Sequence, residues 1–180
     1  GNKGGTSAQN QAVAKLMLLC GSAVQMNYGL DGSSAYCNPN VLTEYFGYNK
    51  LSVSEVIRGS YKSDIWNQMI YDEVKDGRPV LYSGQGREGG HQFVIDGYDM
   101  DDYFHVNWGW GGRYDGYFLV SFLAPASYNF KYDQRGLFGL LPETQANAID
   151  SFLNFHGQFY VTESSVSLGS RVIIPMECES

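Results

Sequence analysis

Gly89-Gly90-His91-Gln92-Phe93-Val94-Ile95-Asp96-Gly97 and, a little further on, His105-Val106-Asn107-Trp108-Gly109-Trp110-Gly111-Gly112 decide how this chain is read. Each is a short run of β-branched and aromatic residues bounded by glycine, the pattern of a strand. Asp99-Met100-Asp101-Asp102 lies between them as a turn, so the two runs pair as a hairpin. Antiparallel pairing sets the start of the first strand beside the end of the second, and so brings His91 near Asn107. A histidine beside a side-chain amide is the base-and-orienter half of a nucleophilic triad.

The chemistry of the two residues fits that role. Imidazole titrates near neutral pH and serves as a general base. The glycines before His91 let backbone or substrate come close. The amide of Asn107 can accept from an imidazole N–H and fix the tautomer without adding charge. Trp108 and Trp110 would shield that bond from water. The plainer readings stand beside these: a surface histidine in a glycine-rich loop, and a buried asparagine among core aromatics that needs a partner in any case.

Working outward, the 180 residues allow one domain or one and a half. A hydrophobic fraction of 43% is enough for a real core. The 14 Tyr, 10 Phe and 22 Gly point to a β-rich body with many tight turns. A net charge of −7 with scattered Lys and Arg argues against nucleic acid as a partner. No apolar run approaches the ~20 residues of a membrane span. The opening Gly1-Asn2-Lys3-Gly4-Gly5 has neither Met nor an apolar signal region and reads as a processed or trimmed end.

Thr6 or Ser7 caps a helix running to Leu19 or Cys20, with Gly21 just past its end and Ala12, Val13, Leu16, Met17 and Cys20 on a core-facing side. Ser22–Tyr28 reads as a short strand. Asn38-Pro39 opens a second helix ending at Gly47. Ser63 caps a third, Asp64–Asp76, stopped by Gly77, with Ile65, Trp66, Met69, Ile70 and Val74 as its apolar face. From Pro79 the period changes to two, with strands at Val80–Ser83, His91–Tyr98, Tyr103–Asn107, Gly116–Ser121 and Leu137–Leu141. Helices followed by sequential short strands give an α+β class with a twisted or barrel-like antiparallel sheet. Residues 1–142 form this body; 143–180 read as a linker and β-rich tail, too short to bury a core alone.

The nucleophile is harder to place. Cys20 lies on an apolar helix face near the C-terminal end, where the helix dipole disfavours a thiolate. Cys37 sits in a loop before a helix N-terminus, a setting that could lower its pKa. Cys178 is flanked by Glu177 and Glu179, which would raise its pKa. No Gly-x-Ser-x-Gly elbow offers a serine instead. No metal-ligand spacing occurs around His91, His105 and the aspartates between them. Gly84-Gln85-Gly86-Arg87-Glu88-Gly89 looks like a dinucleotide fingerprint, but a strand follows it rather than a helix, so it reads as a mobile loop beside the site.

At these residues the sequence resembles the streptopain family of papain-fold cysteine peptidases, over about residues 7–141. The histidine and Asn-Trp stretches carry the resemblance, with Met26-Asn27-Tyr28-Gly29 and Phe46-Gly47-Tyr48-Asn49 as further family-like segments. The resemblance implies a papain-like fold, of which this chain is the sheet-rich half with packing helices. It implies His91 as general base and acid, Asn107 as its orienter, and Trp108 and Trp110 as the shield. Gly90, Trp110 and the loop Ser33-Ser34-Ala35 would line the substrate cleft. It further implies peptide substrates, with an apolar side chain favoured two positions before the cut, no metal or organic cofactor, and secretion. The sequence departs from the family in two places. The family's nucleophilic cysteine and oxyanion donor belong to a helical segment preceding the first helix here. The family's glycine-rich loop is replaced by Ala126-Ser127-Tyr128-Asn129-Phe130-Lys131-Tyr132-Asp133.

The expectation is therefore a cysteine endopeptidase whose thiolate comes from an N-terminal chain of the same precursor. A catalytically inactive peptide-binding or inhibitory module that keeps the cleft is the alternative. A relocated nucleophile at Cys37 is the third.

Overall fold

The computed structural model describes residues 4–99 and 101–143. The linker and tail strands expected over 143–180 lie outside the described residues, Glu143 apart. The chain divides into two compact units, with the boundary between Gly47 and Tyr48. The domain expected over 1–142 spans that boundary.

The first unit carries α1 (Ser7–Ala23) and α2 (Pro39–Tyr45). Thr6 caps α1 with a reciprocal pair: its hydroxyl accepts from the Gln9 amide at 3.3 Å, and the Gln9 side chain accepts from the Thr6 amide at 2.8 Å. The helix runs past Gly21 instead of stopping before it. Gly21 is buried, and a Cβ there would collide with the Tyr28 hydroxyl. Its purpose is close approach, and the left-handed residue that ends the helix is Gln25, at φ 50°. The Gln25 amide donates to Ser22 O at 2.9 Å and the Met26 amide to Gly21 O at 2.8 Å, which satisfies the last carbonyls. The strand expected over Ser22–Tyr28 shrinks to one bridge, Asn27 with Ser34. The apolar side of α1 is open rather than packed, with Val13 60% and Met17 64% exposed. Asn38 caps α2 through Val41 N, with Pro39 in the first turn and Gly47 in the left-handed region after it.

The second unit, Tyr48–Glu143, is a six-stranded antiparallel sheet with one long helix. Its elements are β1 (Ser54–Ile57), a 3-10 turn at Arg58–Ser60, α3 (Ser63–Lys75), β2 (Val80–Gly86), β3 (Gly89–Tyr98), β4 (Tyr103–Asn107), β5 (Gly116–Leu119) and β6 (Tyr132–Phe138). The strand order is β1-β6-β2-β3-β4-β5. Four successive strands, β2 to β5, lie side by side in the sheet, and β6 returns to lie between β1 and β2. Ser63 is the first helical residue of α3 rather than its cap; its hydroxyl accepts from Arg58. The supposed mobile loop Gly84–Gly89 is instead the end of β2 and a two-residue Arg87-Glu88 turn into β3, with Gly86 opposite Gly89. Gly84 is required there, since any Cβ would strike the Phe130 carbonyl. The last strand is Tyr132–Phe138, not Leu137–Leu141.

The core forms where α3 meets the sheet. Trp66 and Ile70 are fully buried against Val80, Tyr82, Phe93 and Ile95. A polar chain crosses it. Trp66 Nε1 donates to the Tyr82 hydroxyl at 2.9 Å, and that hydroxyl donates to Gln134 Oε1 at 3.2 Å. Gln134 Nε2 then donates to the Val120 and Phe130 carbonyls at 3.0 and 3.1 Å. Every member is satisfied, as burial demands. Burial pushes the Tyr82 phenol far above its ordinary pKa, so it stays protonated. Gln134 thus fixes the segment running from β5 to β6, which carries Phe130 toward the histidine.

Candidate active site

β3 and β4 pair with Val94 opposite Asn107, after a bulge at Asp96. His91 stands on β3, opposite Gly84 of β2. The chain leaving β4 at Asn107 runs on past His91, and the contact is made by the next residue. His91 Nε2 lies 2.8 Å from the Trp108 carbonyl oxygen. A carbonyl only accepts, so Nε2 carries the hydrogen and donates it. The lone pair then belongs to Nδ1, which has no hydrogen-bond partner among the described residues.

Asn107 stands opposite Val94, three residues along β3 from His91, and its side-chain oxygen does not meet the imidazole. Its Oδ1 accepts from the Gly109 amide at 2.9 Å, closing the turn Asn107-Trp108-Gly109. The imidazole is oriented by the backbone of that turn. The Trp108 amide on the other side donates to Asp115 Oδ1 at 2.9 Å. Asp115 went unnoticed in the sequence, where it reads as one more turn residue after Gly111-Gly112. Glycine is needed in this loop: Gly109, Gly111 and Gly112 all have positive φ, near 76°, 69° and 86°.

Both tryptophans lie beside the imidazole ring. Trp110 stacks on His91 at 4.7 Å between centroids and 26° between planes. Trp108 is fully buried and its ring lies 6.4 Å from the imidazole; Phe93 and Phe130 lie at 6.0 and 5.4 Å. His91 itself is half-buried. The result is a histidine with one nitrogen held, one nitrogen free and an aromatic wall on its flank.

Residues 2–118 match the model of the Peptidase C10 family. The chain belongs to that family. Streptopain of Streptococcus pyogenes serotype M1 is 41% identical over 124 residues, 68% of this chain and 31% of that protein. The thiol protease/hemagglutinin PrtT of Porphyromonas gingivalis is 33% identical over 175 residues, 90% of this chain and 20% of that protein. Among solved structures, the interpain A cysteine protease of Prevotella intermedia superposes with a TM-score of 0.71 at 36% identity, covering 78% of this chain and 60% of that one. The chain thus spans about a third or less of the curated relatives it matches. The fold is α+β, as the residue pattern implies, and papain-like, as the family resemblance implies.

The remaining expected site residues divide between the two units. Gly90 precedes His91 on β3, exposed, with the Gln85 side chain where a Cβ would stand. Ser33, Ser34 and Ala35 belong to the first unit, all exposed, with Ser34 bonded through its backbone to Asn27 at 2.9 and 3.1 Å. Cys20 and Cys37 are free, half-buried thiols of the first unit. Burial pushes both pKa values up, and Cys37 is raised further by the nearby Cys20 sulfur. Neither has the electropositive setting that makes a thiolate at neutral pH. The lowering expected of Cys37 from its place before a helix does not occur, because burial raises its pKa. Cys178 lies outside the described residues.

The other histidine of the hairpin, His105, is not part of the site. Its Nδ1 pairs with Asp96 at 2.5 Å and its ring edge meets Tyr117. Asp99 Oδ1 accepts from the amides of Asp101 and Tyr103, so the acidic tip is a capped turn. No helix among the described residues is long and apolar enough to cross a membrane.

Proposed function

We propose that this chain is the histidine-bearing portion of a secreted cysteine endopeptidase. A preceding segment of the same precursor supplies the nucleophilic thiol. The observation that carries the reading is the bond from His91 Nε2 to the Trp108 carbonyl, which leaves Nδ1 free to take and return a proton.

The steps follow from that tautomer. Nδ1 takes the proton of the incoming thiol, giving a thiolate and an imidazolium. The imidazolium is stabilised by the Trp108 carbonyl dipole and by the faces of the neighbouring aromatic rings. The sulfur attacks the substrate carbonyl. The C–S bond forms, the C–N bond breaks, and the Nδ1 proton goes to the leaving nitrogen. Water then attacks the thioester, losing a proton to Nδ1; the C–O bond forms, the C–S bond breaks, and the Nδ1 proton returns to the sulfur to regenerate the thiol. Asn107 acts through the turn: it holds Trp108 so that the carbonyl meets Nε2. Gly90 and Trp110 line the peptide's path beside His91.

The test is a thiol-directed epoxide on the purified native protein, followed by denaturing mass spectrometry. The expected result is a second polypeptide, or a preceding segment, that carries the label. Label on Cys37, or on no thiol while this chain is the sole component, refutes the assignment and leaves a peptide-binding module.

A further inference from the structure

The aromatic wall does not end at Trp110. Tyr128 packs on it at 5.3 Å and 46°, and lies nearly parallel to Phe130 at 5.7 Å and 10°. Tyr114 meets Trp110 edge-on, at 6.3 Å and 88°. Trp110 is the ring stacked on His91, so both tyrosines are one ring removed from the imidazole. Phe130 is buried, yet the two tyrosines keep 41% and 39% of their surface open, Tyr114 the more.

Both are held out on fixed backbone. Tyr114 has φ 66°, a left-handed conformation that a bulky residue rarely adopts. The Arg113 guanidinium lies 4.8 Å from its ring centroid. Tyr128 ends a turn in which its amide donates to Pro125 O at 3.0 Å, with Ala126 at φ 51°, and Phe130 N then donates to Leu123 O at 2.9 Å. Two turns with left-handed residues, Tyr114 itself and Ala126 two residues before Tyr128, thus each present an exposed aromatic ring to the same tryptophan.

Resting on the peptidase reading, we infer that Tyr114 and Tyr128 form with Trp110 an aromatic cradle for the side chain of the substrate residue just after the cut bond. The direction follows from the proton. Nδ1 protonates the leaving nitrogen, and the Cα of the leaving residue is one bond of about 1.5 Å beyond it. That residue is therefore the part of the substrate delivered to the flank of His91, where the rings stand. Its side chain should be apolar, and aromatic for preference, because the cradle offers ring faces and edges rather than charge.

The experiment uses the chain together with the segment that carries the nucleophile. Two peptides compete in one mixture, identical except for Phe or Gly just after the cut, with the cleavage position mapped by mass spectrometry. The expected result is faster cleavage before Phe, with the Phe-to-Gly ratio of kcat/KM falling about fivefold in Tyr128→Ala and in Tyr114→Gly. Tyr114→Gly also relieves a left-handed backbone, so loss of folding does not confound it. If both peptides are cut and the variants keep the wild-type ratio, or the wild type shows no preference, the cradle is refuted and the peptidase reading stands. If the wild type cuts neither, both fall.

Discussion

Asp115→Ala tests the link between loop and catalysis. The Trp108 amide sits in a residue with no exposed surface, and Asp115 is its acceptor at 2.9 Å. Removing the carboxylate leaves a buried N–H unpaired, at a cost of about 1–3 kcal/mol, toward the upper end because the acceptor is charged. For a unit of this size, 2 kcal/mol corresponds to a fall in Tm of roughly 10 °C. The second effect is on the site. With its amide released, the Trp108 turn is free to move, and its carbonyl is what holds His91 Nε2. A displacement of about 1 Å in a catalytic group costs on the order of 100-fold in rate. Asp115→Asn keeps Oδ1 in place and loses only the charge, so it should sit between wild type and alanine on both scales. Calorimetry for Tm and kcat/KM on one peptide substrate measure the series. If Asp115→Ala melts within about 1 °C of wild type and keeps full activity, the loop is not held as described.

Other consequences are as direct. Asn107→Ala should lower kcat/KM by roughly three- to tenfold, the equivalent of one exposed hydrogen bond. A loss beyond about 1000-fold would mean that Asn107 contacts the imidazole itself in the working enzyme. Tyr82→Phe removes the hydroxyl between Trp66 Nε1 and Gln134 Oε1 and should cost about 2–4 kcal/mol in urea unfolding; a change under about 0.5 kcal/mol would refute the network. Cys37→Ala should retain activity. Because burial raises the Cys37 pKa, its thiol is un-ionised through neutral pH, and iodoacetamide at pH 8 should modify it more slowly in the folded chain than in urea. Faster reaction when folded would reverse that sign.

Much of the site was legible because it is local. The glycine-bounded strands, the hairpin between them and the approach of His91 to the Asn107-Trp108 stretch all follow from period-two patterning and short turns. The stacking of Trp110 on His91 does not, because Trp110 lies in the turn beyond β4, past Gly109 in the left-handed region. The histidine's true acceptor was not legible, because a backbone carbonyl has no signature in sequence. Asp115 was hidden for a related reason, as its acceptor role depends on where a loop with three glycines, Gly109, Gly111 and Gly112, folds back. The fold was missed where long-range needs overrode local pattern. Tyr132-Asp133-Gln134-Arg135 looks too polar for an inner strand, yet Gln134 is buried with all its bonds made. β1, with Ser54 and Glu55, is a short edge strand whose polarity hides it. Gly21 looks like a helix stop, but the space it provides belongs to Tyr28.

The central claim is that His91 ionises a thiol supplied by a preceding segment of the same precursor. The direct measurement is the pH dependence of thiol alkylation in the assembled enzyme, wild type against His91→Ala. A thiolate–imidazolium pair keeps wild-type alkylation fast down to about pH 5, and without the imidazole the rate should follow an ordinary thiol with a pKa near 8.5. The account predicts that shift of several units toward alkaline pH. Identical profiles for the two proteins would contradict it.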